Sequence, residues 1–201
     1  MVPDDVPDLG ATVVAAVLAH PDVRAVERVG SRAVGTPVPL SDWDFAVEVD
    51  DFTAVAADLP ALVSTLEPLA QQWDRLTSPS CYMLLLRGPV KVDLIFPAHP
   101  REFEPPWAAS VETLEGIDRH FWDWILWLAS KRQRGDEDRV RSELEKLHAH
   151  LLRPMGVVGA PDGIREAIDA YRGARDRMES EFDVVVSRRL ELEVLPVIPD
   201  G

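Results

Sequence analysis

The sequence predicts an α+β fold in which a small mixed β-sheet is followed by an all-α helical bundle. Residues 43–49 and 90–96 alternate apolar and polar positions, as strands with one buried face do. The second half of the chain instead carries its apolar residues at helical spacing. A cluster of prolines at 97–106 separates the two patterns. We therefore expect a sheet domain over residues 1–100 and a helical domain over residues 101–201.

The periodicity of the first half predicts its elements in order. Residues 23–29 are compatible with helix or strand by spacing, and we assign a strand because of the residues that come directly after them. Pro60 falls inside an apolar helical run and predicts a kink or restart there. The expected elements are a helix at 9–20, strands at 23–29 and 43–49, a helix at 52–69, and a hairpin of strands 81–86 and 90–96.

Three helices are expected in the second half, at 117–134, 138–152 and 164–185. The first is apolar on all sides, which favours core packing of Trp122, Trp124 and Trp127 over stacking on a ligand. Four acidic residues could bind ammonium groups of a small molecule or include a base that deprotonates it, although most of them are expected in solvent: Glu112, Glu115, Asp118 and Asp123.

Composition excludes several functional classes. The 35 acidic and 21 basic side chains give a formal charge of −14, which repels polyanions, so nucleic-acid binding is not expected. No apolar run reaches the roughly 20 residues that span a bilayer, and the N-terminus lacks the basic segment of a signal peptide. The single cysteine, Cys81, cannot form an internal disulfide. We therefore expect a soluble protein of the reducing cytoplasm with no membrane partner.

A glycine and serine pair predicts a phosphate-binding turn. Gly30 has no Cβ and lets the backbone approach a ligand closely. Ser31 stands where a short helical turn would begin, and it offers a hydroxyl and free N–H groups to an anion.

Three aspartates are predicted to converge beside this turn. Asp42 and Asp44 are two residues apart, which places both carboxylates on one face of a strand, and Asp93 lies on the less apolar face of another strand. If both strands pack on one core, the carboxylates meet on the opposite side, where such oxygen ligands suit Mg²⁺. The open alternative is an ordinary strand with a wet acidic face, and for Asp93 a surface salt bridge to Lys91.

These residues resemble a known pattern. Gly30-Ser31, ten intervening residues, Asp42-x-Asp44 and the later Asp93 resemble the nucleotidyltransferase superfamily related to DNA polymerase β. The fuller string, Gly-Ser-x-Ala-x-Gly followed by Ser-Asp-x-Asp, is similar to its bacterial branch of minimal, aminoglycoside and lincosamide nucleotidyltransferases.

The resemblance implies a role for each residue of the pattern. Gly30 and Ser31 would bind the β- and γ-phosphates of a nucleoside triphosphate, and Asp42 and Asp44 would hold two Mg²⁺ ions. Asp93 would be a third metal ligand or the base that deprotonates the acceptor. The implied reaction is in-line attack of a hydroxyl on the α-phosphorus, with pyrophosphate leaving.

The chain departs from the pattern in two places. Val34 stands where many relatives carry an arginine, and Pro37 and Pro39 stiffen the following loop. Residues 121–131 resemble the aromatic helix of streptomycin-type adenylyltransferases, which implies that Lys131 pairs with the triphosphate. The alternative is that Lys131 is placed there by the helix dipole, which favours cations at a helix C-terminus.

The resemblance thus implies a metal-dependent nucleotidyltransferase that moves AMP from ATP onto a hydroxyl of a small molecule. The charge of −14 suits a cationic acceptor, and an aminoglycoside-like antibiotic is the leading expectation. The alternative is an antitoxin-type minimal nucleotidyltransferase that modifies or masks a protein toxin, against which the helical second half argues. A catalytically inactive nucleotide-binding member is a third hypothesis, against which the three acids argue.

Overall fold

The computed structural model describes residues 9–199, which fold into two units. The first unit comprises the chain up to Thr36 together with Asp42–Phe103, and it contains the β-sheet. The second comprises Pro37–Ser41 and the chain from Glu104 onward, and its regular elements are helices. The predicted α+β class is confirmed. Across residues 9–199, no helix combines the length and hydrophobicity needed to cross a bilayer.

The first unit follows most of the predicted order. Its elements are α1 (Leu9–Leu18), β1 (Val23–Val29), α2 (Gly30–Ala33), β2 (Trp43–Val49), α3 (Phe52–Leu62), β3 (Ala70–Trp73), β4 (Ser80–Leu86) and β5 (Val90–Phe96). The predicted helix at 52–69 ends early: a 3₁₀ turn follows α3, and Glu67 then adopts a left-handed conformation with φ of 49°. The residues after this turn include β3, a strand too short and too polar to be recognised by alternation.

The sheet is mixed, with strand order β1-β2-β5-β4-β3. Strands β2 and β5 run parallel, whereas the other neighbouring pairs are antiparallel, including the predicted hairpin of β4 and β5. Phe45 of β2 and Leu94 of β5 are register partners, and both are fully buried in one hydrophobic core with Val13 of α1 and Leu59 of α3. Because strand side chains alternate, the residues next to Phe45 and Leu94 face away from this core.

The helical unit contains the three predicted helices and one that was not predicted. These are α4 (Leu114–Gln133), α5 (Glu137–Leu147), α6 (Ile164–Phe182) and α7 (Arg189–Val194). Phe121 and Trp122 of α4 are fully buried, and the ring of Tyr171 on α6 stacks on Phe121 with centroids 3.9 Å apart. Trp122 therefore packs in the core, as the apolar character of this helix on all sides predicted.

Two acidic residues of α4 are buried, and the expectation of solvent exposure was wrong for them. Asp118 and Asp123 are 3% and 7% exposed. The Asp118 carboxylate accepts hydrogen bonds from Trp122 Nε1 at 3.1 Å and from the Tyr171 hydroxyl at 2.5 Å. Burial raises the pKa of Asp118 to about 6, although these hydrogen bonds and the Arg175 charge oppose the shift. Such a burial depends on partners from α6, which spacing along α4 does not reveal.

Candidate metal centre

The three aspartates lie together at one face of the sheet. One carboxylate oxygen from each of Asp42, Asp44 and Asp93 falls within 4.8 Å of the others. Asp42, which directly precedes β2, is 6% exposed, and the other two are half-buried. Three acidic groups thus share a small space in which their negative charges repel one another and together attract cations.

The register of two parallel strands produces this arrangement. Asp44 on β2 and Asp93 on β5 are direct register partners, as are Phe45 and Leu94 beside them. Since Phe45 and Leu94 point into the core, the preceding aspartate on each strand points to the opposite face. The alternation recognised in the sequence therefore sets the side of the sheet, and the parallel pairing brings the two carboxylates next to each other.

Gly30 lies against the carboxylate of Asp44. Its φ is +68°, a left-handed conformation that favours glycine, and a Cβ built at this position would fall 2.1 Å from Asp44 Oδ2. The pairing of Val29 with Asp44 across β1 and β2 explains the approach, because Gly30 directly follows that pair. The turn and the acidic cluster are thus one structural feature, and any side chain at residue 30 would displace Asp44.

The residues after Gly30 form the four-residue helix α2, which contains Ser31 and Arg32. Arg32 Nε donates a hydrogen bond to the backbone carbonyl of Asp42 at 3.1 Å, and its guanidinium lies 4.5 Å from the centroid of the Trp43 ring. Burial lowers the pKa of Arg32, and the charge of Asp42 opposes that shift. Arg32 therefore ties the turn to the start of β2, a role that its sequence position did not reveal.

A buried lysine joins the acidic cluster. Lys91 is 5% exposed, and its ammonium group contacts Asp93 Oδ1, so the pairing considered from the sequence exists. It is not a surface pair, because the Asp93 side chain is only 14% exposed. Asp74, just beyond β3, is half-buried: this partial burial raises the pKa of its carboxyl group, and the charge of Lys91 opposes that rise. Nothing in the sequence pattern pointed to Asp74, since β3 itself was not predicted.

The proline loop between the turn and the acids belongs to the helical unit. Leu40 donates its backbone N–H to Gln133 Oε1 at 3.1 Å, and Arg134 Nη2 donates to Ser41 Oγ at 2.7 Å. The loop predicted to be stiffened by two prolines is therefore also fixed by side chains from the C-terminal end of α4.

Lys131, the predicted phosphate ligand, lies near the C-terminal end of α4. Its Nζ is 4.6 Å from the centroid of the Trp127 ring, a cation–π contact within the helical unit. The guanidinium of Arg139 lies on the same ring at 5.6 Å. The role of Lys131 toward a nucleotide stays a prediction.

The donor set fits a hard divalent cation. Carboxylate oxygens are the ligands that Mg²⁺ and Mn²⁺ prefer, and three of them converge here without any sulfur or imidazole ligand among them. The missing Cβ of Gly30 leaves the space that Asp44 Oδ2 occupies within this cluster. Asp42, Asp44 and Asp93 are therefore the residues that could hold such ions.

Comparison with known proteins gives limited similarity. No protein-family profile matches the chain, and no curated protein matches it by sequence. Among solved structures, it is similar to an aminoglycoside 6-adenyltransferase from Bacillus subtilis, with 11% identity, a TM-score of 0.36, and coverage of 91% of this chain and 93% of that one. It is also similar to the polymerase core of TRAMP, an RNA surveillance complex, with 11% identity, a TM-score of 0.38, and coverage of 85% of this chain and 55% of that one. Values this low do not assign the chain to a family.

Proposed function

We propose that this chain is a divalent-metal-dependent nucleotidyltransferase that moves AMP from ATP onto a hydroxyl of a small, cationic, aminoglycoside-like molecule. The observation that carries the proposal is the convergence of Asp42, Asp44 and Asp93 beside the Gly30 turn. The sequence pattern that contains these four residues resembles that of the nucleotidyltransferase superfamily, and it is the reason for preferring nucleotidyl transfer to other metal-dependent reactions.

The proposed reaction forms one bond to the α-phosphorus and breaks another, and the acceptor hydroxyl loses its proton. The acceptor hydroxyl oxygen bonds to the α-phosphorus of ATP, the bond from that phosphorus to the bridging oxygen breaks, and pyrophosphate leaves. Asp42 and Asp44 would hold two divalent ions, with Asp93 as a third ligand or as the base that accepts the hydroxyl proton. When bound, such ions stabilise negative charge on the entering and leaving oxygens.

The remaining residues of the proposed site bind the donor. Ser31 would donate its hydroxyl to the β- and γ-phosphates, and Gly30 allows the backbone to pass beside Asp44 with no side chain in between. Lys131 is proposed to pair with the triphosphate, as the resemblance of its helix implies. The formal charge of −14 favours a cationic acceptor over a polyanionic one.

The direct test is transfer of label from ATP labelled at the α-phosphate, with Mg²⁺, to a panel of aminoglycosides, lincosamides and candidate proteins. We expect label on an acceptor and release of pyrophosphate. ATP labelled at the γ-phosphate should leave every acceptor unlabelled, because the proposed reaction expels that phosphate. Label transferred from the γ-position would show a phosphotransferase and refute the proposal, and label on a protein alone would favour the antitoxin-type alternative.

The matched pair of variants is Asp44→Asn and Asp50→Asn. Asp44 belongs to the acidic cluster, so its replacement should reduce transfer by at least about a thousandfold. Asp50 directly follows β2 and pairs with Arg24 on the surface with its side chain 53% exposed, so its replacement should leave transfer within about twofold. Retention of activity by the Asp44 variant would remove the metal-binding assignment.

A further inference from the structure

Lys91 is a buried cation placed directly against the acidic cluster. It lies two residues before Asp93 on β5, so both side chains project from the same face of the strand. Its ammonium contacts Asp93 Oδ1, and Asp93 is one of the three residues whose carboxylate oxygens come within 4.8 Å of one another. The Lys91 ammonium group therefore contacts a carboxylate that a divalent ion would also use as a ligand.

Burial strengthens the electrostatic interaction between Lys91 and Asp93. The Lys91 side chain is 5% exposed and that of Asp93 is 14% exposed, so water screens the pair poorly and their charges interact strongly. Lys91 also acts on a second carboxylate, because its charge opposes the burial-driven rise in the pKa of Asp74. The charge of Lys91 thus acts both on a member of the acidic cluster and on an acid outside it.

We propose that Lys91 is a tethered counter-ion of the acidic cluster, a positioning residue that holds Asp93 in place without metal and competes with divalent cations for its carboxylate. This inference rests on the proposed function, since it takes the three aspartates as metal ligands. Three carboxylates so close together repel one another, and a neighbouring cation offsets that repulsion. The same cation lowers the net negative charge that attracts a divalent ion, so Lys91 sets the affinity of the site.

The proposal predicts opposite effects for two neutralising substitutions. Lys91→Met removes the competing cation, and we expect binding of Mn²⁺ to become at least about tenfold tighter, with a lower melting temperature in the absence of metal. Asp74→Asn removes a negative charge on which Lys91 also acts, which leaves more of the Lys91 charge uncompensated beside Asp93, so Mn²⁺ binding should weaken severalfold. Lys91→Arg keeps the charge and should restore affinity to within about threefold of the wild type.

The experiment is a titration of the full chain with Mn²⁺ alone. Electron paramagnetic resonance measures the concentration of free Mn²⁺, and the melting temperature is recorded in parallel. Glu48→Gln is the control for general charge effects, because Glu48 is an exposed carboxylate on β2 outside the cluster; it should change affinity less than about twofold. A Lys91→Met chain that folds only when Mn²⁺ is added also supports the proposal.

The outcomes separate this inference from the function on which it rests. If the wild type binds no Mn²⁺, or if Asp44→Asn binds it equally well, the metal assignment fails and with it the proposed function. If the wild type binds Mn²⁺ through Asp44 but Lys91→Met binds it no tighter, the metal site stands and the counter-ion role of Lys91 is refuted. Equal weakening in the Asp74→Asn and Glu48→Gln variants would also overturn it, because the loss of Asp74 would then have no effect through Lys91 beyond that of removing any nearby negative charge.

Discussion

Replacing Asp118 with asparagine should favour the variant over the wild type more strongly as the pH rises. The free energy of unfolding of the variant minus that of the wild type should be larger at pH 8 than at pH 5. Burial raises the pKa of this carboxyl group from 3.8 to about 6. Between these values the folded chain binds more protons than the unfolded chain, so the free energy of unfolding falls as the pH rises. A shift of roughly two pH units corresponds to a loss of about 3 kcal/mol above pH 6, of which about half develops between pH 5 and pH 8.

Asparagine isolates this effect because it keeps the local hydrogen bonds. Its Oδ1 can accept from both Trp122 Nε1 and the Tyr171 hydroxyl, as Asp118 Oδ1 does, but it carries no charge at any pH. The positive charges of Arg175 and Arg188 oppose the rise in the pKa of Asp118, and both arginines are present in the wild type and in the variant. The difference between variant and wild type therefore reports on the titration of this one carboxyl group.

The assay is urea denaturation of both proteins at several values between pH 5 and pH 8. The control is Glu145→Gln on α5, an exposed carboxyl group whose removal should change the free energy of unfolding by less than about 0.5 kcal/mol throughout. If the difference between the Asp118 variant and the wild type is the same at pH 5 and pH 8, the argument from burial is wrong.

Two glycine substitutions test close contacts in the two units. Gly30→Ala should destabilise the fold by about 1–3 kcal/mol and weaken Mn²⁺ binding at least about tenfold, because the new Cβ would fall 2.1 Å from Asp44 Oδ2 and the φ is +68°. Gly116→Ala should lower the free energy of unfolding by about 1 kcal/mol in denaturation experiments. Alanine is the better helix former, but its Cβ would fall 2.7 Å from Trp107 Cη2.

Each of these substitutions has a matched control in the chain. Gly35 also has a positive φ, +74°, but nothing lies within 4 Å of the position that an alanine Cβ would take, so Gly35→Ala should cost about 1 kcal/mol and leave Mn²⁺ binding unchanged. Gly173 lies inside α6 with its nearest contact at 3.9 Å, so Gly173→Ala should stabilise by up to about 1 kcal/mol. Equal effects within either pair would show that backbone conformation, and not the contact, decides the outcome.

The sequence predicted those parts of the fold that depend on local periodicity. The alternation in residues 43–49 and 90–96 placed Asp44 and Asp93 on the face opposite the core, and the helical spacing of the second half gave α4, α5 and α6. Short elements were missed, because four residues of β3 and six of α7 are too few to show a period.

Partners that come from distant elements were equally invisible. The burial of Asp118 requires a hydroxyl from α6, and the location of the loop at 37–41 requires side chains from the end of α4. In both cases the decisive contact joins residues more than fifty positions apart, and spacing within one element carries no information about it.

The relation between Gly30 and Asp44 shows how local pattern and long-range register combine. From the sequence alone, a tight turn explains the glycine at position 30, and a strand with an acidic face explains Asp44. The pairing of Val29 with Asp44 links the two residues. The Asp44 carboxylate occupies the space where any residue other than glycine at position 30 would carry a Cβ. The parallel pairing of Asp44 with Asp93 then extends the same register to the third acid. A one-residue slip on either side of β2 would separate the three carboxylates while leaving every local prediction intact, so strand register is the property on which the proposed metal site depends.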